Sequence, residues 1–340
     1  MASIQSYKGG FHMQKRRAWV ASLKARGLIV LLALVVLMGL SGCDKHSLFQ
    51  SIMNHERESA KLTVKTETLP YGKITYLTNS VTGSEPPIVM LHGFGGEKDN
   101  WNRFSKKLTD DYRVIIPDLP GHGESVQDPA LNYGIEEQTK RLKQFLDALG
   151  VKKAHLVGNS MGGAIALRYA YLYPQAVSSL ALFDGAGAEQ TATEFQTYMK
   201  TTGKNPLLEI ETAKDFQATM AKYVFVDPPY IPGFIINVLV EEKLKRRALE
   251  KKMFADIMAD LDQMSILSSI KSPALILWGG QDKILHVDNA ELLHIKLVGS
   301  HKEVIDGVGH CPMIEKPEVA REAYLRFLHE MVPQGKPVTM

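Results

Sequence analysis

Cysteine is nearly missing from this chain: Cys43 and Cys311 are the only two in 340 residues, too few for a disulfide framework. Paired C-x-x-C and H-E-x-x-H spacings are absent, so no metal site is expected. The glycine-rich stretch His92-Gly93-Phe94-Gly95-Gly96 is not followed by Gly-Lys-Ser/Thr, which excludes a phosphate loop. Internal repeats and low-complexity tracts are lacking too. With 45% hydrophobic and 23% charged residues the composition is that of a globular protein, not a disordered one. Acidic residues are missing altogether from positions 1–42, which hold six of the Lys and Arg residues, so the formal charge of +3 becomes −3 beyond them. A slightly acidic remainder has no electrostatic footprint for nucleic acid, and no nucleic-acid partner is expected.

Basic residues Lys15, Arg16, Arg17, Lys24 and Arg26 precede an apolar run from Gly27 to Leu40. That run is short for a membrane span and has the layout of a signal-peptide core, although a plain transmembrane anchor is the competing reading. It ends in Leu40-Ser41-Gly42-Cys43, which resembles the bacterial lipobox. The resemblance implies cleavage after residue 42, a diacylglycerol on the Cys43 sulfur, and a protein held at a membrane and facing outside the cytoplasm. Asp44, directly after the cysteine, implies retention at the inner membrane on the periplasmic side. Residues 43–61 are then a lipidated tether, in which Leu48, Phe49, Ile52 and Met53 form one apolar stripe if helical.

Short apolar runs recur beyond the tether: Ile74 to Leu77, Ile88 to Leu91, Val114 to Ile116, His155 to Val157, Leu180 to Phe183, Ala274 to Trp278 and Glu303 to Ile305. Amphipathic stretches separate several of them, the clearest from Ile135 to Leu149. This alternation predicts a mostly parallel sheet flanked by helices. The rhythm breaks over residues 187–270, which predicts a helical insertion after the sixth strand, lying over the sheet as a cap. The core is accordingly expected in two parts, residues 62–186 and 271–334.

His155-Leu156-Val157 leads into Gly158-Asn159-Ser160-Met161-Gly162 and then into a helical stretch. A G-x-S-x-G between strand and helix is the context of a nucleophile elbow, in which a tight turn exposes the serine hydroxyl. On these residues the chain, from about 62 to 332, resembles the α/β-hydrolase superfamily, and in particular bacterial lipoprotein-type lipases with a helical cap and monoacylglycerol-lipase-like relatives. Serine at position 160 disfavours haloalkane dehalogenases and epoxide hydrolases, which use aspartate there.

The resemblance implies an oxyanion hole from the backbone N–H groups of Phe94 and Met161, the first in the loop after the strand Ile88 to Leu91 and the second following the nucleophile. His310, in Gly307-Val308-Gly309-His310-Cys311-Pro312, lies where the family places its base. Asp282, after the strand Ala274 to Trp278, lies where the family places the acid that orients the base. Asp184 is the alternative acid. Pro117-Asp118-Leu119-Pro120-Gly121-His122-Gly123-Glu124-Ser125 is a further family motif, expected to brace the site floor, as His92 and His122 are expected to do. Cys311 is expected to be an unreactive filler.

Lys243, Lys245, Arg246, Arg247, Lys251 and Lys252 are either a solvated helix face or a contact for anionic lipid. Phe234, Ile235, Ile236, Val238 and Leu239 are expected to line an acyl pocket. The implied activity is carboxylic ester hydrolysis by a Ser-His-Asp triad on a lipid or other apolar ester, most like acylglycerol lipolysis, with no cofactor. The alternatives are a carbon–carbon bond hydrolase of ring-cleavage products and a non-catalytic ligand-binding lipoprotein on the same fold.

Overall fold

The computed structural model describes residues 44–331 apart from residue 84. The expected signal segment and Cys43 lie outside these residues. The chain divides at Ser51, and the first helix, α1 (Lys45–Ser59), runs across that division. Among the described residues no helix is long and apolar enough to cross a membrane.

Eight strands form one sheet: β1 (Thr63–Leu69), β2 (Gly72–Thr78), β3 (Ile88–Leu91), β4 (Val114–Pro117), β5 (Ala154–Ser160), β6 (Val177–Gly185), β7 (Ala274–Gly279) and β8 (His301–Ile305). Their order is β1-β2-β4-β3-β5-β6-β7-β8. The pairs β1–β2 and β2–β4 are antiparallel and all others parallel. Seven strands coincide with the apolar runs of the sequence; β1 does not. It pairs with β2 alone and is largely exposed, so it carries no buried run to announce it.

The central strands alternate between two cores. Val89, Leu91, Ile115, Leu156 and Ile276 face one cluster, while Ile88, Met90, Val114, Val157 and Leu277 face the other. Each such fully buried side chain contributes about 1.5–3 kcal/mol relative to exposure, so a one-residue slip in register is strongly disfavoured. Helix α2 (Ile135–Ala148) packs Leu142, Phe145 and Leu146 on the first cluster, and α3 (Met161–Leu172) follows β5 on the same side.

Leaving β3 the chain turns toward β4 on one flank, and leaving β5 it turns toward β6 on the other. The carboxyl ends of β3 and β5 therefore flank a topological switch point, where open α/β sheets form their ligand crevice.

Between β6 and β7 the chain runs through α4 (Glu194–Thr202), α5 (Ala213–Thr219), a π-helical turn (Met220–Val224) and the long α6 (Gly233–Ala259). Ile210, Ile236 and Val240 build a small core within this insertion, together with Phe216 and Ile231. Ile236, expected in an acyl pocket, instead serves the insertion's own packing. Five of the six basic residues on α6 are matched by acids: Lys243 and Arg246 meet Glu250, Lys245 meets Glu242, Arg247 meets Glu211, and Lys252 meets Asp256. Beyond α6, Asp260 accepts from the N–H groups of Ile135 and Glu136 at 2.8 and 2.9 Å. It thereby caps α2, whose own N-cap residue is Gly134. Two helices complete the core, α7 (Asp288–Lys296) and α8 (Pro317–Met331).

Candidate active site

At the end of β5, Ser160 has φ 53° and ψ −120°, a left-handed conformation that costs a non-glycine residue on the order of 1–3 kcal/mol. The turn closes so tightly that a Cβ on Gly158 would lie 2.3 Å from the Gly162 carbonyl oxygen. One on Gly162 would lie 2.3 Å from the Leu91 carbonyl oxygen. The glycines of the motif are thus required by backbone contact, and they seat the start of α3 against the end of β3.

The loop after β3 lies beside this turn: a Cβ on Gly93 would come within 3.1 Å of the Ser160 Cβ. His92 fixes the loop. Its Nε2 accepts from the Leu119 N–H at 3.0 Å, so Nδ1 carries the proton and donates to the Gly93 carbonyl at 2.8 Å. Burial lowers the His92 pKa, consistent with this neutral tautomer. Phe94 packs against His122, which itself packs edge-on to His92, and against Phe254 of α6, with ring centroids 5.4 Å apart in the last pair.

Beneath the loop, the fully buried Asp118 accepts from the Lys98 N–H and Nζ at 2.7 and 2.9 Å, and from the Glu124 N–H at 2.9 Å. Arg57, at the end of α1, adds a bidentate pair to the neighbouring Asp99 at 2.7 and 2.6 Å. The stretch expected to be tether thus contributes a buried cation to the domain.

His310 and Asp282 meet. The Nδ1 of His310 lies 2.7 Å from Oδ2 of Asp282, whose Oδ1 accepts from the N–H groups of Ile284 and Leu285 at 2.7 and 3.0 Å. The carboxylate is therefore oriented by two backbone donors before it meets the ring. The backbone of His310 is pinned as well: its N–H donates to the Val224 carbonyl at 2.8 Å, and its carbonyl accepts from Asn159 Nδ2 at 3.0 Å. Asn159 precedes Ser160, so one side chain joins the turn to the histidine loop. Sequence reasoning gave Asn159 no role.

Asp184 is fully buried, and its Oδ1 accepts from the Gly279 N–H at 2.9 Å rather than from His310. Its Oδ2 has no partner. Burial, then the charge of Asp282, push its pKa well above the usual carboxylate range. One ligand atom each of Asp184, Asp282 and His310 lies within 4.8 Å of the other two. The Asp282–His310 pair is already at hydrogen-bond distance, and a metal there would have to displace the Nδ1 proton. Cys311 is half-buried, 4.0 Å from Asn159 Oδ1. Burial and the charges of Asp184, Asp282 and Glu315 push its thiol up, which makes it a poor nucleophile.

A strained serine at a strand-to-helix turn, a glycine-rich loop beside it and a carboxylate-bound histidine after the last strand form the arrangement of a well-known class. The chain belongs to the α/β hydrolase fold family, whose model matches residues 86–317. It is 36% identical to Lipase 1 of Psychrobacter immobilis over 282 residues, covering 82% of this chain and 88% of that one. It is 30% identical to the human monoacylglycerol lipase ABHD6 over 256 residues, covering 72% and 76%. The crystal structure of a membrane phospholipase A, described as a bacterial virulence factor, superposes with a TM-score of 0.81 at 33% identity over 90% of this chain and 98% of that one.

Proposed function

We propose that this protein is a serine ester hydrolase of the lipase type, acting on acylglycerols or related apolar esters. Ser160 Oγ attacks the ester carbonyl carbon while His310 Nε2 takes its proton, and Asp282 holds the imidazolium through Nδ1. The N–H groups of Phe94 and Met161 receive the oxyanion. The tetrahedral species collapses as the leaving alkoxide takes the proton from His310, leaving an acyl-serine. Water, deprotonated by His310, then attacks the acyl carbon and releases the acid. The observation that carries this reading is the 2.7 Å bond between His310 and Asp282, formed with the histidine backbone tied to the residue before a strained serine. The lipase names of the relatives support the substrate class.

The insertion acts as the cap, with Phe254 of α6 set against the oxyanion loop. Lipidation of Cys43 holds the protein at a membrane, facing the periplasm; metabolic labelling with palmitate is expected to mark the wild type and to leave Cys43→Ala unlabelled.

The test is a chain-length series of p-nitrophenyl esters and acylglycerols, run with Ser160→Ala as blank and with a fluorophosphonate label. Turnover and labelling that both vanish in the blank support the reading. Turnover confined to vinylogous diketones would replace it with carbon–carbon bond hydrolysis, and an unlabelled wild type would replace it with ligand binding.

A further inference from the structure

Glu315, in the short helical turn Pro312–Glu315 that follows His310, takes three backbone bonds from two separate segments. Its Oε1 accepts from the N–H groups of Val226 and Asp227 at 2.9 and 2.6 Å, and its Oε2 accepts from the N–H of Gly309 at 2.8 Å. The first two donors belong to the strap that leads from the π-helical turn toward α6; the third precedes His310. The strap is also bonded to the histidine directly, through the Val224 carbonyl. Contact there is so close that a Cβ on Gly309 would lie 2.3 Å from that oxygen and 3.2 Å from the Phe225 Cα.

A charged acceptor shared by three N–H groups is stronger than three neutral bonds. This one joins residues 89 and 88 positions apart to the loop that carries the base. The far end of the strap is different in character. Tyr230 is 85% exposed, and it sits within the run Pro228-Pro229-Tyr230-Ile231-Pro232, which lacks charge. The strap is thus bonded to the histidine loop at its first end, Val224–Asp227, and exposed to solvent at Tyr230.

We infer that Glu315 is a positioning residue, a clamp that makes the placement of His310 depend on the strap Val224–Asp227 being seated. The inference rests on the reading of Ser160 and His310 given above. It assigns the insertion a second task besides covering the site: it supplies one wall of the histidine's mount.

Four proteins test it: wild type, Glu315→Gln, Glu315→Ala and Val226→Pro. Gln keeps one acceptor oxygen for the strap and presents a donor to the Gly309 N–H. Val226→Pro deletes a strap donor without touching Glu315, and Phe225, at φ −117° and ψ 146°, already has the extended backbone a following proline demands. With p-nitrophenyl butyrate, Glu315→Ala is expected to lower kcat about 10- to 100-fold with KM within about twofold, the signature of a misplaced base. Glu315→Gln should fall between it and wild type, Val226→Pro should share the kcat loss, and the exposed Glu318→Gln should match wild type.

Fluorophosphonate labelling rates should follow kcat, with far-UV circular dichroism unchanged. Full kcat in the folded variants overturns the clamp, and so does a change confined to KM. Should Glu315→Ala not fold, Glu315→Gln and Val226→Pro carry the same comparison. Turnover that survives Ser160→Ala would overturn the serine reading and the clamp with it, whereas turnover lost in Ser160→Ala but intact in the clamp variants overturns the clamp alone.

Discussion

Replacing Asp282 by asparagine should damage catalysis far more than its small change in shape suggests, because the surrounding backbone dictates how the new amide sits. The N–H groups of Ile284 and Leu285 both point at Oδ1, and only the amide oxygen can satisfy them. The NH₂ is then forced to the Oδ2 position, 2.7 Å from His310 Nδ1. Two donors cannot face each other there, so the imidazole must shed its Nδ1 proton and carry it on Nε2, which removes the acceptor that the proposed mechanism assigns to the Ser160 proton. Loss of the right tautomer costs about 10⁴ in kcat in serine hydrolases of this design, or about 5 kcal/mol of barrier. Stability should hardly change, since both backbone donors stay paired. The assay is kcat and KM on a soluble p-nitrophenyl ester, beside a thermal melt. Asp184→Asn is the internal comparison: Asp184 bonds Gly279 and is pushed toward its neutral form by burial and by Asp282, so an amide there should leave kcat within about tenfold. A variant Asp282→Asn that keeps more than a tenth of wild-type kcat, or an Asp184→Asn that falls further than it does, would refute the argument.

Arg57→Ala strands the buried Asp99 carboxylate; breaking such a pair costs about 3–5 kcal/mol, and the lower end applies because Lys98 remains 3.5 Å away. Burial raises the Asp99 pKa, but the Arg57 bond and the Lys98 charge outweigh it and leave the group below its ordinary value. The stabilisation is therefore present above about pH 4, the unfolded aspartate value, and is lost as the pH falls through the lower folded one. The gap between wild type and Arg57→Ala in urea melts should narrow correspondingly in acid. Gly162→Ala would drive a Cβ to within 2.3 Å of the Leu91 carbonyl oxygen; soluble protein with reduced melting temperature and little turnover is expected. Cys311 should react with iodoacetamide near neutral pH much more slowly folded than unfolded, as followed by mass spectrometry.

Strands β3 to β7 were legible because they are buried and read as apolar runs, and Ser160 was legible because the tight turn demands glycine at fixed offsets on either side of it, Gly158 against Gly162 and Gly162 against Leu91. β1 escaped because an exposed edge strand need not be apolar. Arg57 escaped for the opposite reason: a charged residue in a polar stretch reads as solvated, and only the fold reveals Asp99 waiting for it. Glu315 and Asn159 take their importance from partners 89 and 151 positions away, which no local pattern encodes. Ile236 shows the limit of apolar patterning, which announces that a side chain is covered but not by what.

Gly121, at φ +89°, holds a backbone conformation that side-chain-bearing residues rarely adopt, and a Cβ there would fall 2.0 Å from the Met253 sulfur of α6 and 2.9 Å from the Tyr133 ring. The floor loop and the long helix are thus cut to each other's outline like a key and its ward. A graft that replaces the insertion would have to bring a side chain at position 253 that tolerates Gly121, since a residue other than glycine at 121 forces the side chain at 253 to move.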